Sequence, residues 1–166
     1  EENNSSQIAT ITVEYVDQSD HRFFANESFT IQGNWNNPGE ARNAGLAKAT
    51  QEWITFWDAD DLPSVSTVLG AVAQLSVETD VVIGQYIVRR VDDSSNLSKM
   101  SNTHCVDDLI VNPGLWRMVF RREVFLKFRF PKISMAEDQV YLVTSRLVSR
   151  RIEYSPKLFY TYFQGQ

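Results

Sequence analysis

One stretch limits what this chain can fold into more than any other: the run WITFW at 53–57, closed at once by Asp58, Ala59, Asp60 and Asp61. Four large apolar side chains and one Thr present no polar face, which fits a short strand covered on both sides. A helix is predicted on either flank. Upstream, the turn residues NWNNPG at 34–39 lead through Pro38, well placed as a first helical residue, into the alanine-rich segment 40–50. Downstream of Pro63, Val65, Val68, Leu69, Val72 and Leu75 fall on one helical stripe. A covered strand between two helices predicts an α/β, Rossmann-like fold with a mostly parallel central sheet flanked by helices. In such folds ligands bind beyond the carboxyl ends of the strands, which is where the acidic cluster lands.

The rest of the chain continues the alternation. After a polar tail at 1–7, β-branched and aromatic residues predict a strand at 8–16 and a second, short one at 29–32. Further strands are expected at 80–91 and 115–120, with a loop at 92–102. Helices follow at 121–127 and 137–149, and extended segments around 152–154 and 158–162 close the chain. At 166 residues, 43% of them apolar, the length suits a single domain, 8–166, with its own core. No run approaches the roughly 18 apolar residues of a membrane span. One cysteine, Cys105, and two histidines, His21 and His104, exclude an internal disulfide and a zinc cage.

The net charge of −5 conceals two unlike halves. Residues 1–80 carry three Lys or Arg against thirteen Asp or Glu, while residues 81–166 carry thirteen against eight. The arginines are scattered in pairs, so no nucleic-acid partner is expected.

Chemistry is expected first at the acidic cluster. Residues two apart on an extended chain face the same way, roughly 6–7 Å apart at the backbone. Asp58 and Asp60 can therefore share a divalent cation, or divide between a metal and a ribose hydroxyl. Mg²⁺ and Mn²⁺ favour such oxygen ligands alongside substrate phosphates. Alternatively, Asp60 or Asp61 caps the helix that starts near Pro63. Arg42, early in the upstream helix, can pair with a carboxylate of this cluster or with a diphosphate oxygen, or remain an exposed helical arginine. Glu137 and Asp138 open the helix at 137–149, where carboxylates are also common because they suit the helix dipole.

Taken in order, these pieces resemble the bacterial family 2 glycosyltransferases of the nucleotide-sugar-binding GT-A fold. VDQSD at 16–20 is similar to the family's "VDDGS" strand end, with Gln18 in place of the second Asp and Ser19 and Asp20 in place of Gly-Ser. ARNAGL at 41–46, followed by Ala49, is similar to its "ARN-x-G-L…A" helix, and 53–61 to its strand ending in "D-x-D-D". WRMVFRREVFLKFRFPKISMAED at 116–138 is similar to a bacterial pattern of a Trp, an Arg-rich turn, "F-x-F-P" and an "ED" helix. The family places another strand and helix ahead of its "VDDGS" segment, and the expectation is that these are lacking ahead of Ile8.

The resemblance implies an inverting glycosyltransferase that uses a nucleotide-diphosphate sugar donor and a saccharide or lipid-linked acceptor, in surface polysaccharide or glycolipid synthesis. Residues 8–80 become the nucleotide and metal half, and 81–166 the acceptor and base half. Asp58 and Asp60 would bind the donor through Mn²⁺ or Mg²⁺, with Asp61 as a third acidic group at the metal. Asp17 would approach the nucleobase, and Arg42 would brace the cluster or the nucleotide. Asp138 would be the general base, with Glu137 orienting it or the acceptor. Arg89, Arg90, Arg117, Arg121 and Arg122 are expected to shape an anionic acceptor side or to make peripheral contact with the inner face of a membrane, from a cytoplasmic location. The alternatives are an inactive binding module with the same fold, and a sugar-phosphate nucleotidyltransferase.

Overall fold

The computed structural model describes residues 8–16, 24–32, 35, 37–90, 99–101 and 103–165. Strands β1 (Ile8–Val16) and β2 (Phe24–Gln32) pair antiparallel over their whole lengths, from Ile8 opposite Gln32 to Val16 opposite Phe24. The second strand starts five residues before the expected 29–32. Its polar first half, ANES, has little strand propensity, and pairing with β1 overrides that preference.

Helix α1 (Pro38–Lys48) starts where Pro38 predicts, and the Asn37 Oδ1 accepts the Glu40 N–H at 3.0 Å as its cap. Strand β3 (Trp53–Thr55) is shorter than the apolar run, because its neighbour pairs with only these three residues. A two-residue strand, β4 (Leu62–Pro63), precedes α2 (Val65–Val72), whose N-cap position is Ser64, without a side-chain cap hydrogen bond, and not Asp60 or Asp61. Then come β5 (Val81–Arg90), β6 (Lys99–Met100), α3 (Val106–Val111), a 3₁₀ turn (Leu115–Arg117), β7 (Met118–Arg121) and α4 (Arg122–Phe125). Helix α5 (Glu137–Thr144) ends five residues before the expected 149, and a 3₁₀ turn (Leu147–Ser149) follows Arg146, whose φ of 56° is left-handed. The two expected C-terminal segments are one strand, β8 (Ile152–Gln164), with register irregularities against β5 in the stretch that carries Pro156. Proline cannot donate to a ladder, so a bulge is where it fits.

The main sheet has the order β3-β7-β5-β8-β4, with β6 also on β5. Here the expectation of a mostly parallel sheet is corrected: among the described residues only β5 and β8 are parallel neighbours. The β3-α2-β5 unit does return its second strand in the direction of the first, as a helical crossover should. Strand β7, arriving from the 3₁₀ turn, then inserts between them and runs antiparallel to both.

Alternation along β5 and β7 splits the core into two layers. Val81, Ile83, Met118 and Phe120 face Leu46 of α1, Tyr141 and Leu142 of α5, and Phe125 and Phe130. Val82 and Val119 face Val68 and Ala71 of α2, together with Phe159. Gly84 lies beneath the Phe159 ring, where an added Cβ would sit 2.1 Å from the nearest ring carbon. Gly84→Ala should therefore lower stability by about 1–3 kcal/mol, through overpacking of the ring against the sheet. Urea unfolding measures this, and a loss under 0.5 kcal/mol would mean that the ring moves aside freely.

The base of β5 is tied to the start of β8 by charge. Asp80 accepts from the Arg151 backbone N–H and twice from its guanidinium, at 2.8 and 3.2 Å. These hydrogen bonds hold the buried Asp80 carboxyl below the usual carboxylate range, against the opposing effect of burial. A carboxyl lowered in the folded state contributes its stability above its unfolded value and loses it as pH falls through the folded one. Asp80→Asn should thus cost about 1.5–3 kcal/mol at pH 7, with the deficit shrinking below about pH 4. Thermal unfolding of both chains across pH 3–7 checks the sign.

Candidate active site

The backbone leaving β3 turns through Asp58–Asp61, and β8 holds this turn. The Asp58 N–H donates to the Tyr160 hydroxyl oxygen at 3.1 Å, and that hydroxyl donates to Asp61 Oδ2 at 2.9 Å. Asp61 Oδ1 accepts the Phe163 N–H at 2.7 Å. Tyr160 is fully buried, and burial first, then the nearby carboxylates, push its phenol well above the usual range. It stays a neutral donor. Both Asp61 oxygens are thus engaged by β8, while the Asp60 side chain projects from the turn, exposed and with no hydrogen-bond partner among the described residues.

Arg42 links this turn to a second acidic segment. Its Nη2 donates to Asp58 Oδ1 at 3.0 Å and its Nη1 to Glu137 Oε1, and its guanidinium also lies 5.8 Å from the Phe130 ring centroid. Glu137 is buried at the first position of α5, directly after Ala136, whose φ of 63° turns the chain into the helix. Burial raises the Asp58 carboxyl above its ordinary value, Arg42 opposes this, and Asp61 and Asp60 reinforce it. Asp138, one residue on, is half-exposed and accepts only the Gln139 N–H, at 2.8 Å.

Of the residues singled out from sequence, Arg42, Asp58 and Glu137 are thus in direct contact. Asp60 and Asp138 sit two and one positions from that contact, and Asp17 lies outside the described residues. Together the two segments carry five carboxylates, two of them on the one guanidinium. Asp60 and the second oxygen of Asp58 are the groups that could hold a divalent cation here. Among the described residues no three His, Cys, Asp or Glu side chains form a metal cage, so the rest of the coordination would come from substrate and water.

Two residues that sequence reasoning missed hold the site in place. Tyr160 is one, and nothing in LFYTYF at 158–163 distinguishes it from its aromatic neighbours. Asn43 is the other: its side chain pairs both ways with the Phe130 backbone at 2.9 Å, docking α1 on the segment that leads to α5. Around Tyr160, Trp116 stacks at 4.6 Å, and Tyr86 meets Trp116 edge-on at 4.7 Å.

The expectation that Arg117, Arg121 and Arg122 face an acceptor is corrected. Arg117 is fully buried, donating to Thr103 Oγ1 at 2.5 Å and to the Asn112 carbonyl. Arg121 donates to the Thr79 carbonyl at 2.8 Å, pairs with Glu52 and lies over Trp53. Arg122 donates to the Ala49 carbonyl at 2.7 Å. All three hold loops to the sheet; Arg89 and Arg90, at the end of β5, are the exposed pair.

A mixed sheet with helices on both faces and an acidic turn at the end of β3 is the GT-A fold. It is similar to the crystal structure of S. aureus TarS 1–349, at a TM-score of 0.57 and 22% identity, over 77% of this chain. Residues 11–139 match Glycosyl transferase family 2, and the chain belongs to that family. It spans 40% of the TarS chain. No curated protein sequence matches it. Among the described residues no helix is long and apolar enough to cross a membrane.

Proposed function

We propose that this chain carries the donor site and the base of an inverting glycosyltransferase, which moves a sugar from a nucleotide-diphosphate donor to an acceptor hydroxyl. The observation that carries this reading is Arg42, whose two donors join the acidic turn after β3 to the first turn of α5. Asp60 and the free Asp58 oxygen would hold Mn²⁺ or Mg²⁺, which when bound offsets the charge growing on the departing diphosphate. Asp61 acts from behind, fastening the turn to β8.

Asp138 then takes the proton of the acceptor hydroxyl as its oxygen bonds to the anomeric carbon. The bond from that carbon to the diphosphate oxygen breaks on the opposite face, so the anomeric centre inverts. Glu137 is withdrawn from the acceptor and serves as the inner anchor of Arg42. The acceptor is a saccharide or lipid-linked hydroxyl, in keeping with surface polysaccharide or glycolipid synthesis.

Calorimetric titration with UDP- and GDP-sugars, with and without Mn²⁺, tests the reading. Binding that needs the metal and is lost in Asp60→Asn supports it. No binding of any donor would leave the chain as a non-catalytic module, and release of pyrophosphate from a nucleoside triphosphate and a sugar phosphate would make it a nucleotidyltransferase.

A further inference from the structure

At the far end of α5 from Glu137 and Asp138, about 12 Å along the helix axis, a cavity of about 510 Å³ opens between the end of α4 and the turn after α5. Lys127, Phe128, Thr144, Arg146, Ser149 and Arg150 line it. Three cationic residues are on its wall and no carboxylate is. Among the described residues none of the three is in an ion pair.

Cations near a helix C-terminus often just offset its dipole. That accounts for Arg150, whose Nε and Nη2 both donate to the Ser145 carbonyl, at 3.1 and 2.9 Å. The Lys127 and Arg146 side chains, by contrast, donate to no helix carbonyl among the described residues. Arg146 adopts the left-handed region (φ 56°, ψ 47°) that commonly ends a helix, at the residue where α5 gives way to the 3₁₀ turn. Phe128 supplies an apolar floor already shared by cations, with Arg150 at 5.6 Å and Lys127 at 5.5 Å from its ring centre.

From this geometry we infer a second ligand site, one that takes a phosphate group on Lys127, Arg146 and Arg150, with the carbon skeleton attached to that phosphate packed on Phe128. An oxyanion supplies the counter-charge that this lining lacks, and the arginine forks suit phosphate oxygens. The site is separate from the Asp58, Arg42 and Glu137 constellation and draws on none of its residues.

The test uses the 166-residue chain in EDTA, so that no metal bridges a phosphate to the acidic turn. Phenyl phosphate is titrated by calorimetry, and vesicles of phosphatidic acid are compared with phosphatidylcholine by flotation. Binding of phenyl phosphate assigns the site to a soluble phosphate ester. Flotation with phosphatidic acid alone assigns it to a lipid headgroup.

The deciding variant is Arg146→Gly, because glycine takes the left-handed region without a Cβ penalty. A merely structural arginine would be missed in stability. A ligand-binding one leaves the melting temperature equal or higher while phosphate affinity falls at least tenfold, and Lys127→Gln should give a similar fall. The inference is overturned if neither probe binds, if Arg146→Gly binds as tightly as the natural chain, or if the signal is lost in Asp60→Asn instead.

Discussion

Replacing Asp138 with Asn should lower kcat by roughly 10²- to 10⁴-fold while leaving donor affinity within about twofold, the pattern of a lost general base. The substitution is nearly isosteric, and the structure limits its side effects. Among the described residues Asp138, half-exposed, pairs with no cation and accepts only the N–H of the next residue, which an amide oxygen also accepts. Arg42 and Glu137 keep their contact in the variant, so the donor site has no reason to shift. Slow hydrolysis of the nucleotide sugar, in which water replaces the acceptor and needs the same proton removed, gives a rate that can be followed without knowing the acceptor. A parallel titration with nucleoside diphosphate and Mn²⁺ separates binding from chemistry. A kcat within twofold of the natural chain would remove Asp138 from the base role; a loss of nucleotide binding in step with kcat would make it part of the donor site.

Legibility in the sequence followed the range of the forces involved. Pro38 and Asn37 start α1 through contacts within one turn, and WITFW declares a covered strand by its own composition, so both could be read directly. The insertion of β7 between β3 and β5 depends on pairings across more than 30 residues, which no local pattern records. The break in α5 was hidden for a related reason. Leu147 continues the apolar spacing, but its burial comes from the 3₁₀ turn that the left-handed Arg146 sets up.

The same division holds at the site. Asp58, Asp60, Glu137 and Asp138 stood out because carboxylates at strand and helix ends are chemically informative by themselves. Arg117 and Arg121 were misplaced because arginine is seldom fully buried. Here carbonyls from the loops at 79 and 112 accept from Arg121 and Arg117, and those partners are 42 and 5 residues away. Tyr160 was illegible for the opposite reason: its part is set wholly by the turn that lands on it, 99 residues away from Asp61.

Arg42→Met should be the most destabilising change at the site, costing about 2–4 kcal/mol, with nucleotide binding lost in step. Methionine keeps an apolar stem beside Phe130 but leaves Asp58 and Glu137 facing each other without a cation between them. Breaking a buried ion pair from one side typically costs about 3–5 kcal/mol, chiefly because the abandoned charge stays buried. The lower range applies here because the Asp58 side chain is 40% exposed, against 9% for Glu137. The same asymmetry predicts which second change compensates. Adding Glu137→Gln removes the charge that has no access to water and should recover at least half of the loss, whereas adding Asp58→Asn should recover less. Urea unfolding of the three variants measures this as non-additivity between neighbours in one network. If both second changes recovered equally, the two carboxylates would be equivalent partners. A loss under 0.5 kcal/mol for Arg42→Met alone would mean that the bridge does not hold the two acidic segments together. Arg42→Lys should fall between, because a single ammonium cannot span both carboxylates as a planar fork does. Its residual stability would then separate the contribution of charge from that of geometry at the point where the two acidic segments meet.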